Sequence, residues 1–346
     1  MLGAYRFFLA LMVVAQHAGG ARGAGGFAVF AFFVLSGYLM THVMHGTYGY
    51  TLGGFANFAV NRFLRIYPLY WLACLLAVAI LFTANNETAA RVAGGMGIPN
   101  SPENLLANLS LVLSNKTYPL LITPAWTLAV EVLFYLLIGL GISKTRTGTV
   151  VWLGFGAIYA LLANLMNLGG DFTYFSPFSA SLPFAVGALV YHCRGWAAKL
   201  PHRLRTPRAC ALLAVMQLVL WWASQAASDA VRYEVFLYVS VVLNAVTLAT
   251  LLGLKPGTAL SARRDARLGK LSYPIYLTHT ALTLWVADWF SFDGPSALLL
   301  LIVTPCTIGV SLLLVALVED PLDRLRHRLK RHVATASRRS EVGRSA

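Results

Sequence analysis

Long apolar stretches recur along the chain, with mostly short polar loops between them. A transmembrane helix needs about 20 mainly apolar residues to cross the bilayer core, and ten stretches approach or reach that length. They lie at residues 5–22, 26–44, 66–83, 124–142, 149–168, 175–193, 209–226, 233–254, 270–290 and 296–318. Another apolar piece, residues 104–115, is too short to cross and fits a re-entrant or interfacial helix. The pattern predicts an all-α polytopic membrane protein with about ten transmembrane helices.

Composition and charge support this class and orient the chain. Hydrophobic residues make up 58% of the sequence and charged residues 12%, which leaves no sizeable soluble domain. Cytoplasmic loops carry an excess of Lys and Arg. With both termini in the cytoplasm, four of the 27 Lys and Arg residues lie outside: Arg22, Arg91, Lys116 and Arg232. The net charge of +14 then belongs mainly to inner loops, so we expect contact with anionic lipid and no nucleic-acid binding.

The polar C-terminal end differs from the rest of the chain. We predict a membrane-embedded domain at residues 1–320 and a basic, partly disordered cytoplasmic tail at residues 321–346. Four apolar residues of the tail at helical spacing predict an amphipathic interfacial helix: Leu322, Leu325, Leu329 and Val333. We expect no appended domain beyond the tail. The four cysteines show no paired spacing, so we also expect no disulfide framework and no metal site.

The first apolar stretch carries two ionisable residues, Arg6 and His17. Both are expensive in hydrocarbon, where a charged side chain costs about 2.5 to 3.5 kcal/mol even on insertion scales, so such residues are first considered functional. Eleven helical steps of about 100° end roughly 20° beyond three full turns, which places both residues on one face about 16 Å apart. One face therefore carries a cation near one membrane surface and an imidazole deep in the bilayer.

Two further ionisable residues lie inside predicted spans. Thr123 and Pro124 fit an N-cap and a first helical position, so Glu131 lies about 12 Å below the outer end of its helix. His279 lies near the middle of the ninth span. Each residue alone also fits a packing or hydrogen-bonding role. Together with His17 they indicate a site where an imidazole acts as a general base and a carboxylate supports it.

Arg62 and Arg65 are three residues apart just before Pro68, so they share one helix face. They could serve as topology signals whose side chains reach the interface. Alternatively, with Arg6 they form a phosphate clamp, because guanidinium presents a fork of donors that suits phosphate oxygens. Cations at the cytoplasmic side and a histidine site deeper in the membrane suit a long substrate with phosphates at one end. Acyl-coenzyme A (acyl-CoA) has this shape.

Six motifs in order resemble the acyltransferase 3 family of integral membrane O-acyltransferases along nearly the whole chain. They are Arg6 separated by ten residues from His17, AFFVLSGYLMT (31–41), RFLRIYPLYW (62–71), PAWTLAVEVLFYLL (124–137), LSYPIYLTHT (271–280) and VEDPL (318–322). The resemblance implies a ten-span enzyme, typically of the bacterial inner membrane, that uses cytoplasmic acyl-CoA, commonly acetyl-CoA. It also implies an acceptor hydroxyl on a cell-envelope or exported saccharide, presented near the outer face.

The resemblance also implies roles for six residues. His17 matches the catalytic histidine, and Arg6, Arg62 and Arg65 match positions linked to donor binding. Glu131 and His279 match characteristic polar positions of their segments. The chain departs from many members, which carry an Asp shortly before the first arginine and another before the FFVLSG segment. Here Gly3, Ala4 and Tyr5, and Phe30, occupy these places.

We expect direct transfer, in which His17 removes the acceptor proton, Glu131 supports the imidazole and the arginines position the donor. Ser36 and Ser272 are the weaker alternatives as acyl-enzyme nucleophiles. Acceptor choice is expected in the outer segment, residues 85–123. A proton-coupled transporter or flippase of a lipid-linked saccharide is a second hypothesis, with His17, Glu131 and His279 as a proton relay. An inactive scaffold is a third, and the oligomeric state stays open.

Overall fold

The computed structural model describes residues 1–111, 119–197, 199, 201–228, 231–254 and 257–324. These residues are mainly helical, with one isolated β-bridge between Met96 and Leu120. In chain order the α-helices are α1 Leu2–Gly19, α2 Ala24–Val43, α3 Leu52–Thr83, α4 Asn86–Val92, α5 Pro102–Ser110, α6 Ala125–Leu140, α7 Arg146–Leu165, α8 Gly170–Thr173, α9 Pro177–His192, α10 Arg194–Ala197, α11 Pro207–Ser224, α12 Leu237–Gly253, α13 Ala259–Trp289 and α14 Ala297–Leu314. Short π-helical turns follow α2 and α14 and precede α12.

Each of the ten predicted apolar segments coincides with a helix. Among the described residues, six helical segments are long and apolar enough to cross a membrane: Ala24–Tyr48, Leu52–Thr83, Arg146–Leu165, Gly170–His192, Pro207–Ser224 and Ala297–Arg324. Helices α6 and α12 are apolar but shorter. The structure therefore supports a helical, multi-pass membrane protein. The count of ten spans and the cytoplasmic location of both termini stay predictions.

The two segments predicted to lie at the membrane surface are only partly described. Helix α5 has nine residues, too few to cross the bilayer, and residues 112–118 of the predicted interfacial piece lie outside the described residues. In the tail, Leu322 is described, whereas Leu325, Leu329 and Val333 lie outside the described part of the chain.

Helix α1, which carries Arg6 and His17, packs against α13 and α2. Its first turn lies directly against α13, where a Cβ atom on Gly3 would come within 1.8 Å of the Asp265 carbonyl oxygen. The Asp265 carboxylate accepts hydrogen bonds from the N–H groups of Gly3 (3.1 Å) and Ala4 (2.8 Å). It thus satisfies helix donors that have no partner within α1. Burial alone would raise the pKa of this carboxyl, but these bonds and the amine of Met1 lower it.

Two glycines allow α2 and α9 to approach closely. A Cβ atom on Gly37 would lie 2.0 Å from the Phe184 carbonyl oxygen, and one on Gly187 would lie 1.9 Å from the Val34 carbonyl oxygen. Small residues at helix interfaces let backbones pack closely in membrane proteins. Beside this contact, the Phe184 ring stacks on Phe33, with ring centroids 5.1 Å apart. The α2–α9 pair therefore has little room for larger side chains.

Replacing Gly187 with leucine should separate α2 from α9, because the new side chain overlaps the backbone of α2. Overpacking typically costs about 1 to 3 kcal/mol, and overlap with backbone atoms places this case at the upper end. We expect loss of the monodisperse protein peak in detergent and a lower melting temperature. Gly154→Leu is the matched control, because no heavy atom lies within 4 Å of a Cβ placed there. Equal stability of the two variants would contradict the close packing of α2 and α9.

The start of α6 differs from the prediction. The helix begins at Ala125 with Pro124 at the N-cap position, and the Pro124 carbonyl accepts the first bond, from the Thr127 N–H (3.2 Å). Thr123 therefore does not cap the helix, and its buried hydroxyl oxygen has no hydrogen-bond partner. The prediction was wrong because proline can occupy the N-cap position as well as the first helical position.

Candidate active site

Three cavities follow one another between α1, α2, α3, α6 and α13. The arginine pocket, about 110 Å³, is lined by Arg6, Arg62, Arg65, Glu131, Tyr135 and Tyr273 among others. The central chamber is about 50 Å³ and shares Arg6, Phe32, Glu131 and Tyr273 with the arginine pocket. The histidine cavity, about 360 Å³, contains His17 and shares Val29 and Tyr276 with the central chamber. The shared walls make the three cavities one series, running from the arginines to His17.

The structure brings His17 and His279 together, with ring centroids 5.1 Å apart. His279 is fully buried in α13, and its Nδ1 lies 2.8 Å from the Tyr276 carbonyl oxygen. A carbonyl only accepts, so Nδ1 carries the proton and Nε2 is left as an acceptor, which has no partner. His17 makes no hydrogen bond within the described residues. Its nitrogens are therefore open to a ligand in the histidine cavity.

Glu131 lines the arginine pocket and the central chamber, at the opposite end of the series of cavities from His17. Ser36 Oγ and Tyr135 OH each donate a hydrogen bond of 2.9 Å to its carboxylate. Glu131 is five residues beyond Trp126, which lines the histidine cavity, and this spacing is about 7.5 Å along the helix. Glu131 lines the other two cavities but not the histidine cavity, so the structure does not place it beside His17, contrary to the expectation from the sequence. The side chain beside His17 is His279, and the carboxylate lies among the arginines.

Neither candidate serine is paired with a histidine. Ser36 Oγ donates to Glu131, and Ser272 Oγ donates to the carbonyl of Gly269 (2.8 Å) in its own helix. An activated serine needs an adjacent base within hydrogen-bond reach. The hydroxyl of Ser272 is used within its helix, and that of Ser36 lies in the arginine pocket. Ser36 does have a base within reach, the Glu131 carboxylate, but it lies in the arginine pocket and not beside the histidine pair. Direct transfer at His17 therefore stays a prediction.

The three predicted arginines do line one pocket. Arg65 Nη1 lies 2.8 Å from Glu319 Oε1, and its guanidinium carbon lies 5.8 Å from the centre of the Tyr273 ring. Arg62 Nη2 donates to the Asn61 side chain (3.0 Å). Three guanidinium groups and one carboxylate, Glu131, face the cavity, so the pocket has an excess of positive charge. This chemistry suits a phosphate-bearing ligand.

Glu319 is a site residue whose role the sequence analysis missed. It lies in the VEDPL motif, is only 4% exposed and forms an ion pair with Arg65 from the π-helical turn after α14. Next to it, Lys270 Nζ lies 2.6 Å from Asp320 Oδ1 and 2.8 Å from Asp323 Oδ2. In the sequence, the VEDPL motif was the only sign that Glu319 belongs to the site. Arg65 and Glu319 lie on different helical elements far apart in the chain, so no helical spacing relates them.

The residues that replace the usual acids have structural partners. The N–H groups of Gly3 and Ala4 bind Asp265, and the Tyr5 hydroxyl donates to the Asn244 side chain. Phe30 is fully buried and stacks on Tyr174, a wall of the histidine cavity, with ring centroids 5.7 Å apart. A charged residue at position 30 would thus be buried in an aromatic cluster. Among the described residues, no group of three or more His, Cys, Asp or Glu side chains could hold a metal ion.

Comparison with known proteins decides the class of reaction. A family model described as an acyltransferase domain matches residues 2–316. The chain belongs to the acyltransferase 3 family. This acyltransferase is therefore classed as an enzyme, and the family match counts against the transporter hypothesis.

Two relatives of this acyltransferase come from bacteria. "Putative peptidoglycan O-acetyltransferase YrhL" of Bacillus subtilis (strain 168) is 30% identical over 310 residues, 80% of this chain and 47% of that protein. An "Uncharacterized protein" of Aquifex aeolicus (strain VF5) is 27% identical over 239 residues, 65% of this chain and 99% of that protein. The acyltransferase spans about half the length of the Bacillus relative. No solved structure matches it significantly. Family and relative together support O-acyl transfer.

Proposed function

We propose that this O-acyltransferase moves an acyl group, in the simplest case acetyl, from cytoplasmic acyl-CoA to a hydroxyl of a cell-envelope or exported saccharide. The proposal places it in a bacterial inner membrane. Its main support is the series of cavities, which joins an arginine pocket to a histidine pair through the interior of the helical bundle.

The donor's phosphates are assigned to the arginine pocket. Arg6, Arg62 and Arg65 come from two helices and surround one cavity, so they can contact several phosphate oxygens at once. The positive-inside rule supports a cytoplasmic location for this end. The arm of CoA then extends through the central chamber, and the thioester reaches the histidine cavity. Arg6 and His17 mark the two ends on one face of α1, about 16 Å apart.

In the proposed reaction, His17 removes the proton from the acceptor hydroxyl. The oxygen attacks the thioester carbonyl carbon, a C–O bond forms and the C–S bond breaks. The proton moves from the His17 imidazolium to the departing CoA sulfur, so the histidine is regenerated. His279 positions the His17 ring and offers Nε2 as an acceptor beside it. No covalent enzyme intermediate is needed.

A saccharide acceptor is supported by the name of the Bacillus relative, which refers to peptidoglycan. It is also supported by the walls of the histidine cavity, which combine aromatic rings with polar groups. The outer segment proposed for acceptor choice contributes Gly94, Gly95, Leu120 and Thr123 to these walls. Asn115 and Tyr118 of that segment lie outside the described residues.

Acetyl-CoA supplied to membrane vesicles of known orientation tests the donor and the topology together. We expect inside-out vesicles to release free CoA when an envelope extract supplies the acceptor, because the arginine pocket then faces the added donor. Right-side-out vesicles should release CoA only after permeabilisation. Thiol detection measures the product, and vesicles without the protein give the background. No release from either preparation would overturn acetyl-CoA as the donor, and release from intact right-side-out vesicles would overturn the topology.

A further inference from the structure

The histidine cavity contains polar groups that the protein itself leaves without partners. Thr123 Oγ1 is buried and has no hydrogen-bond partner, although Thr123 lines the cavity. The indole N–H of Trp126 and the nitrogens of His17 also make no hydrogen bond within the described part of the chain. A buried hydroxyl without a partner is uncommon. Beside it, the indole N–H and the imidazole nitrogens belong to residues that line the same cavity, so a ligand bound there could pair with them.

The remaining walls hold these groups in place. Gln16 Oε1 accepts a hydrogen bond from the Gly25 N–H (2.8 Å), which leaves the amide nitrogen of Gln16 as a donor. The Trp126 ring packs against Phe175 and Tyr174, with ring centroids 4.8 and 5.1 Å away. These contacts fix the orientation of the indole. The polar groups are thus arranged before any ligand binds.

We infer that the histidine cavity is a subsite for one sugar unit of the acceptor, with Thr123, Trp126 and Gln16 recognising its hydroxyl groups. This inference rests on the proposed function and assigns residues to its acceptor. A sugar ring carries several hydroxyls around an apolar ring, which matches separated polar groups between aromatic walls. At about 360 Å³ the cavity is at the small end of the usual range for ligand pockets, which favours a single unit.

The arrangement would also select which hydroxyl is acylated. His17 lies on α1, whereas Trp126 lies in the first turn of α6 and Thr123 in the turn just before that helix. Bonds from two neighbouring hydroxyls to Thr123 and Trp126 would fix the ring, so that a third hydroxyl faces His17. A site built to bind a hydroxyl discriminates strongly against an analogue that lacks it. Thr123 and Trp126 are therefore specificity-determining residues, whereas His17 performs the chemistry.

The test compares Thr123→Val and Trp126→Phe with the wild type, using methyl N-acetylglucosaminide and its monodeoxy analogues as acceptors. Each variant should raise the acceptor KM roughly tenfold, the expected effect of one lost hydrogen bond. The KM for acetyl-CoA should not change. Against the deoxy analogue that lacks the matching hydroxyl, the variant and the wild type should behave alike. Binding of the same sugars, measured by fluorescence titration without donor, should show the same pattern.

Thr307→Val and Trp285→Phe are the matched controls. Thr307 also has a buried hydroxyl without a partner, but it lies in α14 and does not line the three cavities. Trp285 is 44% exposed on α13. Both controls should keep the wild-type KM for the acceptor.

Three outcomes would overturn the inference while the proposed function stands. In the first, the wild type transfers acetyl to the sugar, but the acceptor KM is unchanged in Thr123→Val and Trp126→Phe. This result would leave the proposed function intact. The second is an equal loss against every deoxy analogue, which would indicate a general structural defect. The third is transfer by the wild type to envelope extract but neither transfer to nor binding of the sugars. If the wild type cleaves no acetyl-CoA even with envelope extract, the proposed function falls and the inference with it.

Discussion

Replacing His17 with alanine should lower the rate of acyl transfer by about 10²- to 10⁴-fold, the usual contribution of a general base. The expected loss lies in kcat, because His17 lines the histidine cavity and not the pocket assigned to the donor phosphates. Acyl transfer to an envelope acceptor, measured at matched protein levels and saturating acetyl-CoA, gives this number. The KM for acetyl-CoA should change little.

His42→Ala is a suitable control for the His17 variant, because His42 is exposed and stacks on Tyr38 away from the cavities. It should retain wild-type activity. More than a tenth of the wild-type rate in His17→Ala would remove the general-base role. An acyl adduct on Ser36 or Ser272, detected by mass spectrometry, would show instead that transfer passes through the enzyme.

Replacing Glu319 with alanine should have the second large effect, because it leaves the Arg65 guanidinium without its buried partner. Removing one member of a buried ion pair costs about 3 to 5 kcal/mol. We expect a marked fall in melting temperature and, in the protein that still folds, a raised KM for acyl-CoA as Arg65 moves. Thermal unfolding in detergent and donor kinetics measure the two effects.

The double variant Arg65→Leu with Glu319→Leu separates stability from donor binding. Removing both charges should restore most of the stability, because no unpaired charge remains buried, while the KM for acyl-CoA stays high. Asp320→Asn is the control: its partner Lys270 is 33% and Asp320 44% exposed, and exposed pairs contribute only about 0.2 to 1 kcal/mol. A double variant less stable than Glu319→Ala would contradict the ion pair's assigned role.

Helical periodicity correctly predicted which residues of a single helix share a face. Arg6 and His17 line the arginine pocket and the histidine cavity respectively, at the two ends of one series, as their spacing on α1 requires. Arg62 and Arg65 likewise face a common cavity. These relations follow from the rise and rotation of a single helix, which the sequence determines directly.

Contacts between helices could not be predicted in the same way. The sequence gives the depth of Glu131 in its helix but not the direction in which it points relative to α1. Besides Tyr135 in its own helix, Glu131 binds Ser36 of α2, and His279 takes the place beside His17. The pairing of Arg65 with Glu319 depends on how α3 and α14 pack, which no local pattern encodes.

The narrow central chamber has a consequence for the energetics of the cell. An enzyme with cavities open towards both membrane faces could let hydrated ions cross and weaken the membrane potential. The chamber's volume of about 50 Å³ has room for only a few water molecules. The Thr127 and Tyr276 hydroxyls in its wall are hydrogen-bonded to each other, 2.5 Å apart. In the resting protein this chamber is too small for an ion with its hydration shell, and in the proposed function the arm of a bound donor would fill it during the reaction.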